Sequence, residues 1–239
     1  MPASTKTTES PLTLTIDIGG TGLKVLVLDA SGTPLGERSR IATPRPATPD
    51  AVLEALEEIV KQQPAFDRIA AGFPGVVVDG VVHTAPNLDG DWAGVTLADE
   101  LNRRFGKPTR VANDADVQGL GDVEGHGVEM VLTLGTGLGS ALFLEGRLIP
   151  NLELGHHPFR GRKTYEDWVS NKALKKLGRK KWRLHVSEVV AQVQPIWNPR
   201  LIHLGGGNVR LLKAADLPAN VRLQSNTAGL LGGLKLWQP

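Results

Sequence analysis

The sequence predicts an α/β fold built from two similar halves. Apolar runs typical of strands alternate with amphipathic segments of helical period along the 239 residues. A strand, a Gly-Thr-Gly turn and a second strand occupy residues 12–28, and the same order returns at 129–144. Two halves that each begin with such a hairpin predict two equivalent turns facing one cleft.

The first half begins with a meander of strands after a disordered N-terminal lead at 1–11. Strands are predicted at 12–18 and 23–28, and a third at 34–43. Thr48 and Pro49 then begin a helix, with Thr as the N-cap and Pro at the first helical position. Its predicted apolar face consists of Val52, Leu53, Leu56, Ile59 and Val60. Further strands are predicted at 69–73, 76–78, 81–83 and 109–112, with a helix at 97–105 that Gly106 ends.

The second half repeats this alternation. Strands are predicted at 129–134 and 140–144, and later near 201–204 and 220–223. The helices predicted in this half cover about 165–177, 187–197, 206–214 and 226–236.

Composition excludes several classes of protein. The content of 41% hydrophobic and 22% charged residues is ordinary for a globular chain. No apolar run approaches the roughly 18 residues that span a bilayer, and the first residues lack the apolar stretch of a signal peptide. The chain has no cysteine, which excludes disulfides and thiolate zinc sites. We therefore expect a cytoplasmic protein that contacts no membrane.

The charge is unevenly distributed along the chain. The net charge is +2, but residues 160–183 contain ten Lys or Arg and only two acidic residues. Such a block predicts a polyanionic partner, and a solvated helix face is the alternative. Nucleic acid is disfavoured as the partner because Trp182 is the only aromatic residue among the cations at 172–183. The residues predicted to bind the polyanion are Lys172, Lys175, Lys176, Arg179, Lys180 and Lys181, the first four sharing one face if the helix continues.

Both Gly-Thr-Gly turns are candidate phosphate sites. Glycine lets backbone N–H groups approach a phosphate, and a threonine hydroxyl can bond to it. Asp17, at the end of the first strand, is a candidate Mg²⁺ ligand, directly or through water. Ordinary hairpin turns are the alternative. The predicted phosphate-binding residues are Gly19, Gly20, Thr21, Lys24, Gly135, Thr136 and Gly137, together with Gly205, Gly206 and Gly207 after a later strand.

Polar residues at strand ends are candidates for proton transfer and sugar binding. Asp114 follows a strand and could accept a proton from a sugar hydroxyl, while Asn113 and Asp114 are also good N-cap residues. Glu153 and His156 are an acceptor and a donor suited to sugar hydroxyls. Asn87 either shapes the same pocket or forms a turn.

Several ordered motifs resemble the repressor–ORF–kinase (ROK) sugar kinases, and within them the polyphosphate glucokinase branch. They are GGTGLK at 19–24, TPRPATP at 43–49, GFPGVV at 72–77, TAPNLDGDW at 84–92, RVANDAD at 110–116 and ELGH at 153–156. The resemblance implies the actin-like ATPase (ribonuclease H-like) fold, with two subdomains around a cleft. It places the N-terminal subdomain at 12–113, rejoined by 225–239, and the C-terminal subdomain at 114–224.

The resemblance also implies an activity and its residues. It implies a homodimeric kinase that transfers a phosphoryl group from polyphosphate, or from ATP, to the 6-hydroxyl of glucose with Mg²⁺. Asp114 falls at the position of the general base, and Asn113, Glu153, His156 and Glu166 fall at sugar-binding positions. Many ROK proteins carry a Cys-rich zinc loop after the Glu-x-Gly-His motif, which this chain lacks, so no zinc is expected at His156.

Two alternatives remain at this point. One is an ATP-dependent ROK kinase of the same fold that acts on glucose, mannose or N-acetylmannosamine, or on pantothenate. The other is a non-enzymatic sugar sensor, as in the family's repressors. Only about eleven residues precede the first strand, too few for a repressor's helix-turn-helix, so we expect an enzyme.

Overall fold

A computed structural model describes residues 10–224 and 228–238 of the chain. The predicted lead at 1–11 therefore lies mostly outside the described residues, as do positions 225–227 and 239 of the predicted C-terminal return. The strands are β1 (Thr13–Ile18), β2 (Leu23–Leu28), β3 (Ser39–Ile41), β4 (Arg68–Phe73), β5 (Val77–Val78), β6 (Val81–Val82), β7 (Thr109–Asn113), β8 (Val128–Leu134), β9 (Leu138–Leu144), β10 (Arg147–Ile149), β11 (Leu201–Gly205) and β12 (Val221–Leu223).

Helices connect and cover these strands. Short 3₁₀ helices at Leu154–His156, Val209–Leu211 and Ala214–Asp216 complete the described elements. None of the helices within the described ranges is long and apolar enough to cross a bilayer. The α-helices are α1 (Pro49–Val60), α2 (Leu97–Phe105), α3 (Asp114–Asp122), α4 (Glu166–Val169), α5 (Asn171–Trp197) and α6 (Ala228–Lys235).

Two five-stranded sheets have the same topology, as the internal repeat predicts. One has the order β3-β2-β1-β4-β7 and the other β10-β9-β8-β11-β12. In both sheets the first three strands are antiparallel neighbours and the last two join in parallel. We call the two sheets, with the helices that cover them, lobe 1 and lobe 2. This duplicated α/β arrangement is the predicted fold class.

Each lobe has its own hydrophobic core. In lobe 1 the apolar face of α1 is buried as predicted, and Trp92 packs tilted against Phe73 with ring centroids 5.0 Å apart. In lobe 2, Trp182 and Tyr165 are fully buried beside the strands β8 and β11. Burial of apolar side chains stabilises each of the two sheets with its covering helices.

The helix α6 packs against lobe 1 and against α3. A Cβ on Gly232 would lie 1.7 Å from the carbonyl oxygen of Val117, and one on Gly233 would lie 2.8 Å from the Cγ2 of Thr15. The close backbone approach at Gly232 requires glycine there, and Gly233 leaves room for the Thr15 side chain. The contact fits a C-terminal helix that returns to the first half, while the exact subdomain boundaries remain predictions.

Four predicted elements differ from the structure. The strand expected at 34–43 is limited to β3, preceded by a single bridge from Pro34 to Leu28, because the four residues 35–38 face only two residues of β2 and so bulge out of the ladder. The helix expected at 206–214 is two 3₁₀ turns, with Lys213 extended between them. The helices expected at 165–177 and 187–197 are replaced by the short α4 and by one long helix, α5, interrupted by non-helical Gly178.

Candidate active site

Both Gly-Thr-Gly turns line one cleft of about 550 Å³ between the lobes. Residues 19–22 connect β1 to β2 in lobe 1, and residues 135–137 connect β8 to β9 in lobe 2. Equivalent positions in the two sheets therefore bring the turns to opposite sides of the same space. This is the arrangement that the repeat predicts, and the phosphate-binding role of the turns remains a prediction.

Asp17 and Lys24 lie side by side at the lobe 1 turn. They are Cα partners in the antiparallel pairing of β1 with β2, and Lys24 Nζ donates to Asp17 Oδ2 at 2.6 Å. Each side chain is about one third exposed to the cleft, 34% for Asp17 and 33% for Lys24. The predicted metal ligand and the predicted phosphate ligand thus form an ion pair that is open to a charged substrate.

Asn113 ends β7 and caps α3. Its Oδ1 accepts hydrogen bonds from the N–H groups of Ala115 at 2.8 Å and Asp116 at 3.3 Å, and its Nδ2 donates to the carbonyl of Gly75 at 3.0 Å. The N-cap alternative is therefore observed. The amide nitrogen Nδ2 carries two N–H groups, so the second one remains available to donate a hydrogen bond to a ligand.

Asp114 occupies the first position of α3, at the floor of the cleft. Burial raises the pKa of Asp114 to about 7, and the negative charges of Asp17, Glu153 and Asp116 add to the rise. The Ala115 N–H opposes it. A carboxyl group that titrates near neutrality is suited to accept a proton there.

Asp116, two residues further on, was not singled out from the sequence. Its side chain is 1% exposed, its Oδ2 accepts from the N–H of Asn151 at 3.1 Å, and its Oδ1 has no partner among the described residues. Burial raises the pKa of Asp116 to about 7. Asn151 in turn exchanges two hydrogen bonds with the backbone of Val77, at 3.1 and 2.9 Å, and so ties the loop before Glu153 to lobe 1.

Glu153, His156 and Glu166 line the lobe 2 side of the cleft. Burial raises the pKa of Glu153, and the charge of His156 opposes this. Glu166 Oε2 accepts from the N–H of Leu138 at 3.0 Å and would lie 2.1 Å from a Cβ on Gly137. Glycine at 137 therefore lets a predicted sugar ligand reach the second predicted phosphate turn.

Of the remaining residues predicted to bind sugar or phosphate, some line the cleft and one does not. Asn87 lines the cleft, and its carbonyl oxygen would lie 3.0 Å from a Cβ on Gly20. Gly206, with φ +83°, and Gly207 also line the cleft, with Asn208. Gly205 does not: it is buried, and a Cβ there would lie 2.0 Å from Gln118 Nε2.

The basic block lies outside the cleft. None of its six predicted residues lines the cleft or forms an ion pair within the part of the chain that the structure describes. The expected common face is wrong in detail, because Gly178, with φ 76° and ψ 160°, separates Lys172, Lys175 and Lys176 from Arg179. All six side chains are exposed, and their binding role remains a prediction.

Sequence reasoning missed two arginines in the cleft. Arg38 and Arg40 both line it, Arg40 from β3 and Arg38 from just before that strand. Arg40 is the Cα partner of Lys24 in the pairing of β2 with β3. Pairing the predicted strands at 23–28 and 34–43 would have indicated Arg40, because this register places its side chain beside that of Lys24, a predicted phosphate ligand.

The carboxylates suit a magnesium ion held partly by substrate. No group of three or more His, Asp or Glu side chains within residues 10–224 and 228–238 is arranged to hold a metal. Mg²⁺ usually takes only one or two protein carboxylates and completes its shell with water and phosphate oxygens. Asp17, whose charge raises the pKa of Asp114, meets that requirement in the cleft.

Comparison with known proteins identifies the family of this chain. A sequence model described as the ROK family matches residues 13–194. Polyphosphate glucokinase of Mycobacterium tuberculosis (strain CDC 1551 / Oshkosh) is 36% identical over 234 residues, covering 91% of this chain and 88% of that protein.

Solved structures of similar fold also match this chain over most of its length. The inorganic polyphosphate/ATP-glucomannokinase of Arthrobacter sp. strain KM matches with a TM-score of 0.86 and 34% identity, covering 95% of this chain and 98% of that one. A ROK family glucokinase from Streptomyces griseus, solved with glucose and AMPPNP, has the same fold with a TM-score of 0.79 at 21% identity, covering 94% and 98%. The match to the family model over most of the chain, together with these relatives, shows that this protein belongs to the ROK family.

Proposed function

We propose that this protein is a glucokinase that transfers a phosphoryl group from inorganic polyphosphate, or from ATP, to the 6-hydroxyl of glucose. The observation that carries the proposal is Asp114, a carboxyl group with a pKa of about 7 in a cleft that also contains both Gly-Thr-Gly turns. The identity of 36% to a polyphosphate glucokinase supports the choice of donor.

Asp114 acts as the general base in this proposal. The sugar oxygen attacks the terminal phosphorus, the bond from that phosphorus to its bridging oxygen breaks, and the hydroxyl proton moves to the Asp114 carboxylate. The products are glucose 6-phosphate and a polyphosphate shorter by one unit, or ADP. Phosphoryl transfer needs little covalent help, so positioning and charge neutralisation supply most of the rate.

Glu153, His156, Glu166 and the free Nδ2–H of Asn113 bind the sugar hydroxyls. Together with Asp114, the carboxyl groups of Glu153 and Glu166 favour a ligand rich in donors over an anionic acceptor. Glu166 also holds the N–H of Leu138, so sugar binding and the geometry of the turn at 135–137 are linked.

The turns at 19–22 and 135–137 hold the donor phosphates, with Lys24 beside them. Asp17 would hold Mg²⁺, directly or through water, and the ion when bound would supply charge neutralisation at the donor phosphates. Gly206 and Gly207 approach the nucleoside when ATP is the donor. Closure of the two lobes excludes water, which would otherwise compete with glucose as the acceptor.

Mannose is a second candidate acceptor. The structural relative with 34% identity is a glucomannokinase by its description, and it covers nearly all of this chain. A homodimer in the cytoplasm is part of the same proposal and rests on the family resemblance.

A coupled assay tests the proposal. Glucose 6-phosphate formation is followed with a dehydrogenase, using polyphosphate or ATP as donor and glucose as acceptor, and mannose competes in a parallel series. We expect turnover of glucose with polyphosphate in the presence of Mg²⁺ and none after chelation. Turnover with ATP alone would reassign the protein to the ATP-dependent hexose kinases, and no turnover with either donor would refute the enzymatic role.

A further inference from the structure

The cations that line the cleft all lie on its lobe 1 side, where one of them, Lys24, is paired with Asp17. Among the described residues, the Lys and Arg side chains that line the cleft are Lys24, Arg38 and Arg40, and all three belong to one edge of lobe 1. The acids Glu153 and Glu166 line the lobe 2 side. The sugar end of the cleft is thus anionic and the edge at β3 is cationic.

The two arginines are available to a ligand. Lys24 is paired with Asp17, but no carboxylate within residues 10–224 and 228–238 lies within 4.0 Å of either arginine's nitrogens. The Arg40 guanidinium lies over the first turn: a Cβ on Gly22 would be 2.8 Å from its Nη2 and 3.0 Å from its Nε. A planar guanidinium in that position can make two parallel hydrogen bonds to a phosphate.

The opposite end of the donor side has no such cations. Gly206, Gly207 and Asn208 line it without a charge. That end suits an uncharged nucleoside. A donor that continues as further phosphates carries a negative charge on each unit, and the cationic edge attracts it more strongly.

We propose that Arg38 and Arg40 form a subsite for the non-transferred phosphates of polyphosphate, which selects this donor over ATP. The proposal rests on the proposed kinase function and deepens it. The path of a polyphosphate chain runs from the transferred phosphate near Asp114, over the turn at 19–22, to the edge of β3. A nucleotide leaves the turns towards Gly206 instead and makes fewer contacts with the arginines.

This subsite is distinct from the basic block of α5. Lys175, Lys176, Lys180 and Lys181 lie outside the cleft, so only a long chain can reach them while its terminal phosphate is at Asp114. A short chain such as tetrapolyphosphate can occupy the cleft alone. Short chains therefore report on the arginines and not on the block.

The test compares Arg38→Gln and Arg40→Gln in steady-state kinetics with tetrapolyphosphate and with ATP. Each variant should raise the KM for tetrapolyphosphate about 10-fold or more, the usual loss for a charge-assisted hydrogen bond, and should raise the KM for ATP much less. Arg40→Lys should recover only part of the loss, because lysine lacks the planar fork. Gly22→Ala should act in the same direction, since its methyl group displaces the guanidinium without removing the charge.

Arg147→Gln is the matched control. Arg147 is exposed on β10, the edge strand of lobe 2 that corresponds to β3, and does not line the cleft. It should leave both KM values unchanged. Equal rises of the two KM values in the Arg38 and Arg40 variants, or no rise, would overturn the subsite.

Calorimetric titration with tetrapolyphosphate separates failure of the subsite from failure of the proposed function. Wild-type protein that binds it and loses binding in both arginine variants supports the subsite even if turnover is absent. Wild-type protein that phosphorylates glucose from polyphosphate, with binding unchanged in both variants, overturns the subsite and leaves the kinase function intact.

Discussion

Replacing Asp114 with Asn should abolish most activity and at the same time stabilise the protein. The side chains have nearly the same shape, but the amide cannot accept the sugar proton. Loss of a general base typically lowers turnover about 10²–10⁴-fold, or roughly 3–5 kcal/mol in the activation free energy. Glucose should still bind, because the sugar ligands Glu153 and His156 are untouched.

The stability change follows from the raised pKa. The pKa of Asp114 rises from 3.8 to about 7 on folding, mainly by burial, so the folded state disfavours the carboxylate. The contribution of Asp114 to the free energy of unfolding of the wild-type protein therefore decreases as the pH rises from about 4 to about 7 and is level above that. The full shift corresponds to about 4 kcal/mol, which contact with water in the cleft reduces. We expect Asp114→Asn to gain about 1–3 kcal/mol at pH 8, or a Tm higher by about 2–10 °C.

Two measurements on one variant test this reasoning. Coupled kinetics with glucose give kcat, and thermal unfolding at pH 4 and pH 8 gives the stability. The variant should be more stable than the wild type at pH 8, and the difference should disappear near pH 4. A variant that retains a tenth or more of wild-type kcat would refute the base, and one that is less stable at pH 8 would refute the electrostatic account.

Three further predictions concern other parts of the molecule. Glu153→Gln and His156→Ala should each weaken glucose binding about 10-fold in calorimetric titration, because each removes a hydrogen-bond partner in a partly desolvated site, and unchanged affinity in both would move the sugar elsewhere. Glu129→Gln should lower the free energy of unfolding at pH 7 by about 2–3 kcal/mol in urea titrations. Burial opposes its charge, yet three backbone N–H groups and buried His203, at 2.8 Å, lower the pKa of Glu129 to about 2. This contribution is present above about pH 4.5 and is lost as the pH falls through 2, so equal stability of the two proteins at pH 7 would contradict it. Finally, four lysines of the basic block are replaced by Gln: Lys175, Lys176, Lys180 and Lys181. This change should raise the KM for long polyphosphate, with a larger effect at low salt, and should leave the KM for tetrapolyphosphate nearly unchanged. Equal effects on the two KM values would indicate that the block is a solvated face.

Local patterns predicted the repeated hairpins and several elements correctly. The apolar face of α1, its Thr48 cap and the end of α2 at Gly106 all agree with the structure, because capping and periodicity depend on residues close in sequence. The helix predictions failed where the backbone departs from the conformation that the local sequence favours. Gly178 interrupts a run of good helix formers, and residues 206–214 pack as 3₁₀ turns.

The sequence by itself determined the α/β class, the repeat, the family and the residues with chemistry at the strand ends. Only the tertiary structure decided which of them share a cleft. It brought Arg40 over the turn at 19–22 and Arg38 into the same cleft, and it left the basic block outside, although the block is the stronger signal in composition. It also buried Asp114 among other carboxylates, which is why its pKa rises to about 7. Both results depend on residues far apart in the chain, since desolvation and charge proximity are properties of the assembled lobes and not of any local segment.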